Sequence, residues 1–458
     1  MIENDAFKLL LINLFHLNPD DIANIFCTTF NKMMVLLVTL ADKHQACPYC
    51  GFTAPKIKEY VTKEITHSAL TTQKCIIKYR ARRYKCPCCG KTYYEFNPFV
   101  FKSQKISILT VHNILKDLKD FNETFTSVAR RYHVSPTSVS TIFDNHVDIG
   151  RNPLPEIINF DEVYAFKSEK SKYVCVLLDF KKQIPVDVLP NCKKEYLLNY
   201  FQKIPLEERK KVKYACSDMY EVYRDVVHKV FPCSCMLLDY FHLSQDFHRK
   251  MNEVRIKVMK EYKDDKASDE YYLLKKFNWL LFKNPEDEDK YGRLFDVERE
   301  RKYNSHFKSY MNYYDLRRKL LEINNDLTIC YSLKLELVDF YSKSTIDNAQ
   351  VNLEHLIRSC IDTNIEEMIA FSNNLINWKQ EIINSFTIVG TEYKVEADKG
   401  QVVVCNKKVN NAIIENRNKI IKCIKNNANG YTNWSRFRNR VMYVLDPNTT
   451  FSLEPREK

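Results

Sequence analysis

Between residues 155 and 262 three strand-like runs follow one another without a helical stretch, and helix and strand then alternate. The runs Ile157–Phe166, Lys172–Phe180 and Ile184–Leu189 are rich in Ile, Val, Leu and Phe and bounded by polar turns. Lys193–Gln202 then has a helical period, Val212–Ser217 reads as a strand, Met219–Val230 as a helix, Ser234–Leu238 as a strand and Phe241–Tyr262 as a helix. This order specifies an α/β domain in which the first and fourth strands lie side by side.

That neighbourhood gives meaning to two acids. Asp161 falls on the first strand and Asp218 just after the fourth, so their carboxylates can meet across the sheet. The third is Glu415. From Gln401 to Arg440 the chain carries Lys407, Lys408, Arg417, Lys419, Lys422, Lys425, Arg436, Arg438 and Arg440, and Glu415 is its only acid. A lone carboxylate in a basic segment weakens contact with phosphate, which suggests a specific task. Phosphoryl transfer on nucleic acid commonly uses carboxylates to hold two divalent metals about 3.5–4 Å apart, and the strand order is that of a ribonuclease-H-like domain. Blander readings stand beside these. Asp161 could be a strand-edge carboxylate paired with a lysine, with Glu162 its only substitute as ligand. Asp218 could cap the following helix, Glu415 could be a solvated helix residue, and His242 could be a packed one. Asp239 ends a strand too and rivals Asp218; Glu392 and Glu396 are the alternatives to Glu415. Trp434 and Phe437 are expected to pack the last helix onto the sheet.

Upstream, CPYCG and CPCCG supply paired knuckles. Cys47, Cys50, Cys86 and Cys89 are four thiolates at the spacing of a closed tetrahedral zinc site, with Cys88 able to replace Cys86. Gly51 and Gly90 relieve the backbone after each knuckle. The other cysteines lie mostly singly in strand-like runs, as buried thiols do in a reducing compartment. The strand-like run Ile76–Tyr84 gives this module a basic face through Lys78, Arg80, Arg82 and Arg83. Next, TFTSVARRYHVSPTSVSTIFDNHV fits a helix-turn-helix: a helix over Thr124–Tyr132, a turn at His133–Ser135, and a helix over Pro136–His146 capped by Ser135. Val128, Ala129, Val134, Val139 and Ile142 form its inner face. Thr137, Ser138 and Thr141 are left to face a major groove, and Arg130 and Arg131 to touch phosphate.

A formal net charge of +12 favours a polyanionic partner. Only 7 glycines argue against a glycine-rich phosphate loop or dinucleotide fingerprint. The run Met33–Ala41 is too short to span a bilayer. The reading is therefore multidomain α/β: a zinc-binding module over 1–100, a helix-turn-helix domain over 101–150, a catalytic domain beginning at 151–242, a helical insertion over 243–400, the catalytic domain's final helix segment over 401–445, and a tail over 446–458. In that final segment Ala412, Ile413, Asn416, Ile420 and Cys423 are expected to form the inner stripe.

CPYCG, RARRYKCPCC, the helix-turn-helix, NFDEVYAF, CSDMYEVYRDVVHKVFP, LLDYFHL and NNAIIENRNKIIKCIKNNANGYTNWSRFRNR occur in that order over residues 47 to 440. Together they resemble the DDE transposases of bacterial insertion sequences, in the zinc-knuckle branch called the ISL-three family. Asn416 follows Glu415 where many members have glycine. The resemblance implies an enzyme that binds insertion-sequence ends as double-stranded DNA, cleaves them and joins them to target DNA. It implies two Mg²⁺ (or Mn²⁺) ions held by Asp161, Asp218 and Glu415, a structural Zn²⁺, a homo-oligomer on DNA, no membrane partner, and a place at the bacterial nucleoid in the cytoplasm. His242 matches the family's histidine after the fifth strand. A transposase-derived DNA-binding regulator that cleaves nothing, and a nuclease without strand transfer, are the alternatives.

Overall fold

In a computed structural model the chain is described over residues 2–43, 45–70, 72–101, 104–167, 171–395 and 402–456. Helix α1 (Ile2–Leu14) precedes strands β1 (Ile22–Phe30), β2 (Met33–Leu40), β3 (Lys56–Thr66), β4 (Cys75–Lys85) and β5 (Thr92–Tyr94). They form one sheet in the order β1-β2-β4-β3 with β5 on β4, and β2 runs parallel to β4. Leu11, Phe15, Ile25, Leu36 and Ile77 fill the space between α1 and this sheet. Two loops, between β2 and β3 and between β4 and β5, carry the cysteine knuckles.

Helices α2 (Ile108–Asp117), α3 (Phe125–Arg131) and α4 (Pro136–His146) follow. Each begins at a side-chain cap: Ser107, Thr124 and Ser135 accept from the backbone N–H three residues on, worth about 1 kcal/mol apiece. Val111, Ile114, Val128, Ala129, Val139, Ile142 and Phe143 pack between them. His133 takes the left-handed conformation, φ 54°, in the turn that joins α3 to α4.

The central sheet consists of β6 (Ile157–Tyr164), β7 (Tyr173–Asp179), β8 (Ile184–Leu189), β9 (Tyr214–Ser217) and β10 (Cys235–Leu238) in the order β10-β9-β6-β7-β8. The β6–β7 and β7–β8 pairs are antiparallel, while β6–β9 and β9–β10 are parallel. Helices α5 (Lys194–Gln202), α6 (Leu206–Arg209) and α7 (Glu221–Val230) connect the later strands. Side chains alternate between two covered faces, which is why β7 reads as one apolar run. Cys175 and Leu177 meet Phe201, Tyr223 and Val227 on one face. Val174, Val176 and Leu178 meet Ile414, Ile421, Phe437 and Val441 on the other.

Helix α8 (Tyr240–Glu261) leaves this sheet and enters a largely helical body. It comprises α9 (Asp269–Lys276), ribbons β11/β12 (Glu288–Asp289 and Gly292–Arg293) and β13/β14 (Lys302–Asn304 and Ser309–Met311), and helices α10 (Tyr313–Glu322), α11 (Asn325–Lys343), α12 (Ala349–Asp362), α13 (Glu366–Asn377) and α14 (Lys379–Asn384). These bury a core of their own, with Phe247, Met251, Leu337, Leu356, Phe371 and Trp378 at its centre. The chain returns through the hairpin β15 (Ile388–Val395) and β16 (Val402–Lys408) to α15 (Ala412–Asn427) and α16 (Trp434–Leu445). Glu396 lies outside the described residues, and Glu392 stands in β15 opposite Cys405.

Helix α15 forms where the sequence places it, but its buried stripe is Ile414, Asn418, Ile421 and Ile424, not the one expected. Asn416 and Cys423 are exposed. The reason is chemical: apolarity alone does not assign a core position to an asparagine, and Asn418 is buried because it has a carboxylate partner. Phe437 and Trp434 pack α16 against Phe166 and the sheet as expected. The residues after α16 lie against the helices of the second region: the Ser452 N–H donates to the His146 carbonyl, and Arg456 donates to the carbonyls of Asp144 and Val147.

Candidate metal centre

Parallel pairing sets the site. Asn159 of β6 stands opposite Cys216 of β9, and Ser217 of β9 opposite Leu238 of β10. Continuing that register puts Asp161, within β6, level with Asp218 and Asp239, which stand just past the ends of β9 and β10. The structure removes the blander explanations for two of them. Helix α7 begins at Glu221 with Tyr220 at its N-cap, so Asp218 does not cap it. Asp161 accepts from the Glu162 N–H at 2.8 Å and from Asn418 Nδ2 at 2.6 Å rather than from a lysine.

Glu415 arrives on the first turn of α15, where the helix dipole favours a negative charge. Two buried asparagines lock that turn to the sheet. Asn159 Nδ2 donates to Asn411 Oδ1 at 2.6 Å and to the Asn410 carbonyl at 2.8 Å. The Asn411 backbone N–H in turn reaches Asp239 Oδ1 at 3.4 Å. A polar residue inside the apolar run IINFD was the signal for Asn159; the spacing Glu415, Asn418 on one helix was the signal for Asn418. Both went unread in the sequence.

The acids crowd one another. Burial pushes the Asp161 carboxyl up to about 6; the Glu162 N–H and His242 oppose this, while Asp218 and Glu415 add to it. Burial also raises Asp218 and Asp239, with His242 opposing. Several buried polar atoms have no hydrogen-bond partner, among them Asp218 Oδ1, Asp239 Oδ2 and His242 Nε2. Orphaned buried acceptors are rare in native proteins because each forfeits its hydration for nothing. A divalent cation answers both problems, so the donor set fits one. Asp239, His242 and Glu415 each offer a ligand atom, all within 4.8 Å of one another. Asp239, read from sequence only as a rival to Asp218, therefore stands beside Asp218 at the strand ends and belongs to the cluster.

A second cluster lies in the N-terminal region. Ligand atoms of Cys47, Cys50, Cys86 and Cys89 converge, with Cys47 Sγ 3.7 Å from Cys89 Sγ and Cys50 Sγ 3.5 Å from Cys86 Sγ. A tetrahedron with metal–sulfur bonds of about 2.3 Å has edges of about 3.8 Å, so the set suits zinc. Each knuckle has the same hydrogen bonds: Gly51 N–H to the Cys47 carbonyl at 2.8 Å, and Gly90 N–H to the Cys86 carbonyl at 2.9 Å. Both glycines adopt left-handed φ, 73° and 72°, which other residues resist. Cys88 is exposed and outside the cluster, whereas Cys86 is buried within it.

In the α3–α4 pair, Thr137, Thr141 and Arg130 are exposed, whereas Ser138 is half-buried and its hydroxyl meets that of Ser135 at 2.8 Å. Arg131 departs from its expected part. Both arms of its guanidinium are taken, one by Asp117 at the end of α2 and one by Glu123 in the loop before α3.

With the geometry in place, comparison with known proteins decides the lineage. Residues 158–397, just over half of the chain, match the family of DDE transposases of the ISL3 type, described as transposases. The chain belongs to that family. Asp161, Asp218, Asp239 and His242 fall inside the matched stretch, and Glu415 beyond it. The chain is also similar to the transposase for insertion sequence element IS1001 of Bordetella parapertussis, at 19% identity over 409 residues, which covers 89% of this chain and 90% of that protein. Among the described residues no helix of this family member is long and apolar enough to cross a membrane.

Proposed function

We propose that the chain is a DNA transposase that binds the ends of an insertion sequence and carries out metal-dependent cleavage followed by strand transfer. The observation that carries this reading is the meeting of Asp161 and Asp218, on neighbouring parallel strands, with Asp239, His242 and Glu415 brought in by α8 and α15. On this reading the five-stranded sheet is a ribonuclease-H-like core interrupted by a helical insertion over 243–400, after a zinc module over 1–100 and a helix-turn-helix domain over 101–150.

Asp161, Asp218 and Glu415 would hold divalent cations there, and such ions when bound lower the charge on phosphate oxygens and make water or a DNA 3′-hydroxyl a better nucleophile. The chain's own residues do the rest. Asn418 fixes the rotation of the Asp161 carboxylate, and Asn159 and Asn411 hold the first turn of α15 against β6, so Glu415 cannot swing away. Lys419 and Lys422, exposed on α15, supply cations beside the acids for a phosphate backbone. Helix α4 presents Thr137 and Thr141 to base edges, and Arg130 meets phosphate.

The test is substitution that keeps shape and removes charge. Asp161→Asn, Asp218→Asn and Glu415→Gln should each bind end DNA as well as the parent and leave cleavage and joining at background. If the parent binds ends and cuts nothing in Mg²⁺ or Mn²⁺, the chain is a DNA-binding regulator instead. If it cuts without yielding joined products, it is a nuclease.

A further inference from the structure

Asp239 and His242 have no part in the three-acid scheme, yet they are the more unusual pair. Asp239 is 3% exposed. Its Oδ1 accepts the Asn411 N–H, and its Oδ2 has no partner. His242 stands one helical turn further along α8, so the two side chains share a face. His242 Nε2 is 3.8 Å from Asp239 Oδ2, too far for a hydrogen bond, and it too is buried without a partner. Asp239 is at the N-terminus of α8 but makes no capping bond. Two adjacent orphans with lone pairs facing a third donor, Glu415, describe a seat for a cation rather than for water alone.

We infer that Asp239, His242 and Glu415 form a cation seat with a nitrogen ligand, distinct from the seat offered by Asp161 and Asp218. The inference deepens the transposase reading by naming further ligands in the same cluster. Its chemistry follows from the donors. Two carboxylates alone suit any hard divalent ion, whereas an imidazole nitrogen favours first-row transition metals over Mg²⁺. The seat takes Mn²⁺ in preference to Mg²⁺. The opposite seat, built from oxygen donors, lacks that preference. Glu415 is thus assigned chiefly to the His242 seat, and Asp161, already gripped by Asn418, to the other.

The experiment needs neither DNA nor turnover. The full-length protein, freed of divalent ions except its zinc, is titrated with Mn²⁺ and followed by electron spin-echo envelope modulation. Modulation from a directly bound imidazole ¹⁴N is expected in the parent and is lost in His242→Ala. Asp239→Asn, which keeps the side-chain shape, should weaken the nitrogen-coupled Mn²⁺ by at least about tenfold, since losing a direct ligand costs no less than losing a group that merely orients one. Zinc content and a thermal melt equal to the parent's show that each variant is folded. Absence of nitrogen coupling in the parent, or its persistence in His242→Ala, overturns the inference. Nitrogen coupling without DNA cleavage leaves this seat standing and sinks the transposase reading; cleavage without nitrogen coupling does the reverse.

Discussion

The cysteine cluster and the acid cluster both gather metal-binding side chains, and they do so in opposite ways. Four cysteines in two knuckles come together by local turns, each closed by its own glycine and joined through one sheet. The acids lie on β6, just past β9 and β10, and on α15, with His242 on α8, and Asp161 and Glu415 meet only because the central sheet and α15 pack together. On the proposed reading an ion would help to make the first structure, whereas the second depends on the assembled fold and confines charges that repel one another.

The largest expected effect tests the first half of that contrast. Structural zinc contributes apparent binding energies of about 10–16 kcal/mol to small modules at neutral pH. Cys47→Ser should therefore lose zinc, open residues 40–95 to protease and abolish tight binding to end DNA, while the central sheet keeps its own melting transition. A Cys47→Ser protein with normal zinc content and protection would put the metal elsewhere.

The second prediction concerns pH. Asp161 holds its proton more tightly folded, at about 6, than unfolded, at about 3.9. Its raised value means that stability is greatest below the unfolded pKa and declines as pH rises through the folded one. Without divalent ions the carboxylate costs roughly 2–3 kcal/mol by pH 7. Denaturant melts should show Asp161→Asn gaining on the parent between pH 4 and pH 7, and Mn²⁺ should narrow the gap. A gap that is flat with pH would mean that burial does not hold this carboxyl's pKa above its ordinary value.

Smaller still is the expected effect of Asn418→Ala. Removing the donor that orients a ligand typically costs about 10–100-fold in metal affinity or activity. Cleavage should fall by that factor with DNA affinity unchanged. A variant that cuts at the parent rate would show that Asp161 needs no orienting partner.

The smallest effects separate two adjacent arginines. Arg131→Ala breaks two partly exposed ion pairs and should lower the helical region's stability by about 1 kcal/mol. Arg130→Ala should leave stability alone, weaken specific and random DNA about equally, and reduce the salt slope by about one. Reversed outcomes would exchange the two assignments.

What the sequence disclosed tracks the same contrast. Knuckle spacing, the Ser135-Pro136 helix start and the succession of strands are local patterns, and each fell within a few residues of the observed element. Asp161 and Asp218 were legible because strand order converts into adjacency. Asn418, Asn411 and Asn159 were not, because an asparagine's core position is specified by a partner hundreds of residues away. Arg131 was hidden for a different reason: its partners Asp117 and Glu123 are near in sequence, but only the packing of α3 on the segment before it decides whether its charge is free.

Helix α16 has a consequence for measurement of length. Its Phe437, Val441 and Met442 sink into the central sheet, while Tyr443 inserts among the helices of the α2–α4 region and donates to the Leu115 carbonyl. Arg440, on the same helix, donates to the carbonyls of Asp120 and Glu123, and Arg436 grips Asp144. The helix that carries Thr137 and Thr141 is thereby held at a fixed offset from the acids, as a jig holds a blade to a fence. On the proposed reading, the number of base pairs between the recognised sequence and the broken bond is a property of this one packed helix. Loosening Tyr443 should blur the position of the cut before it slows the cutting.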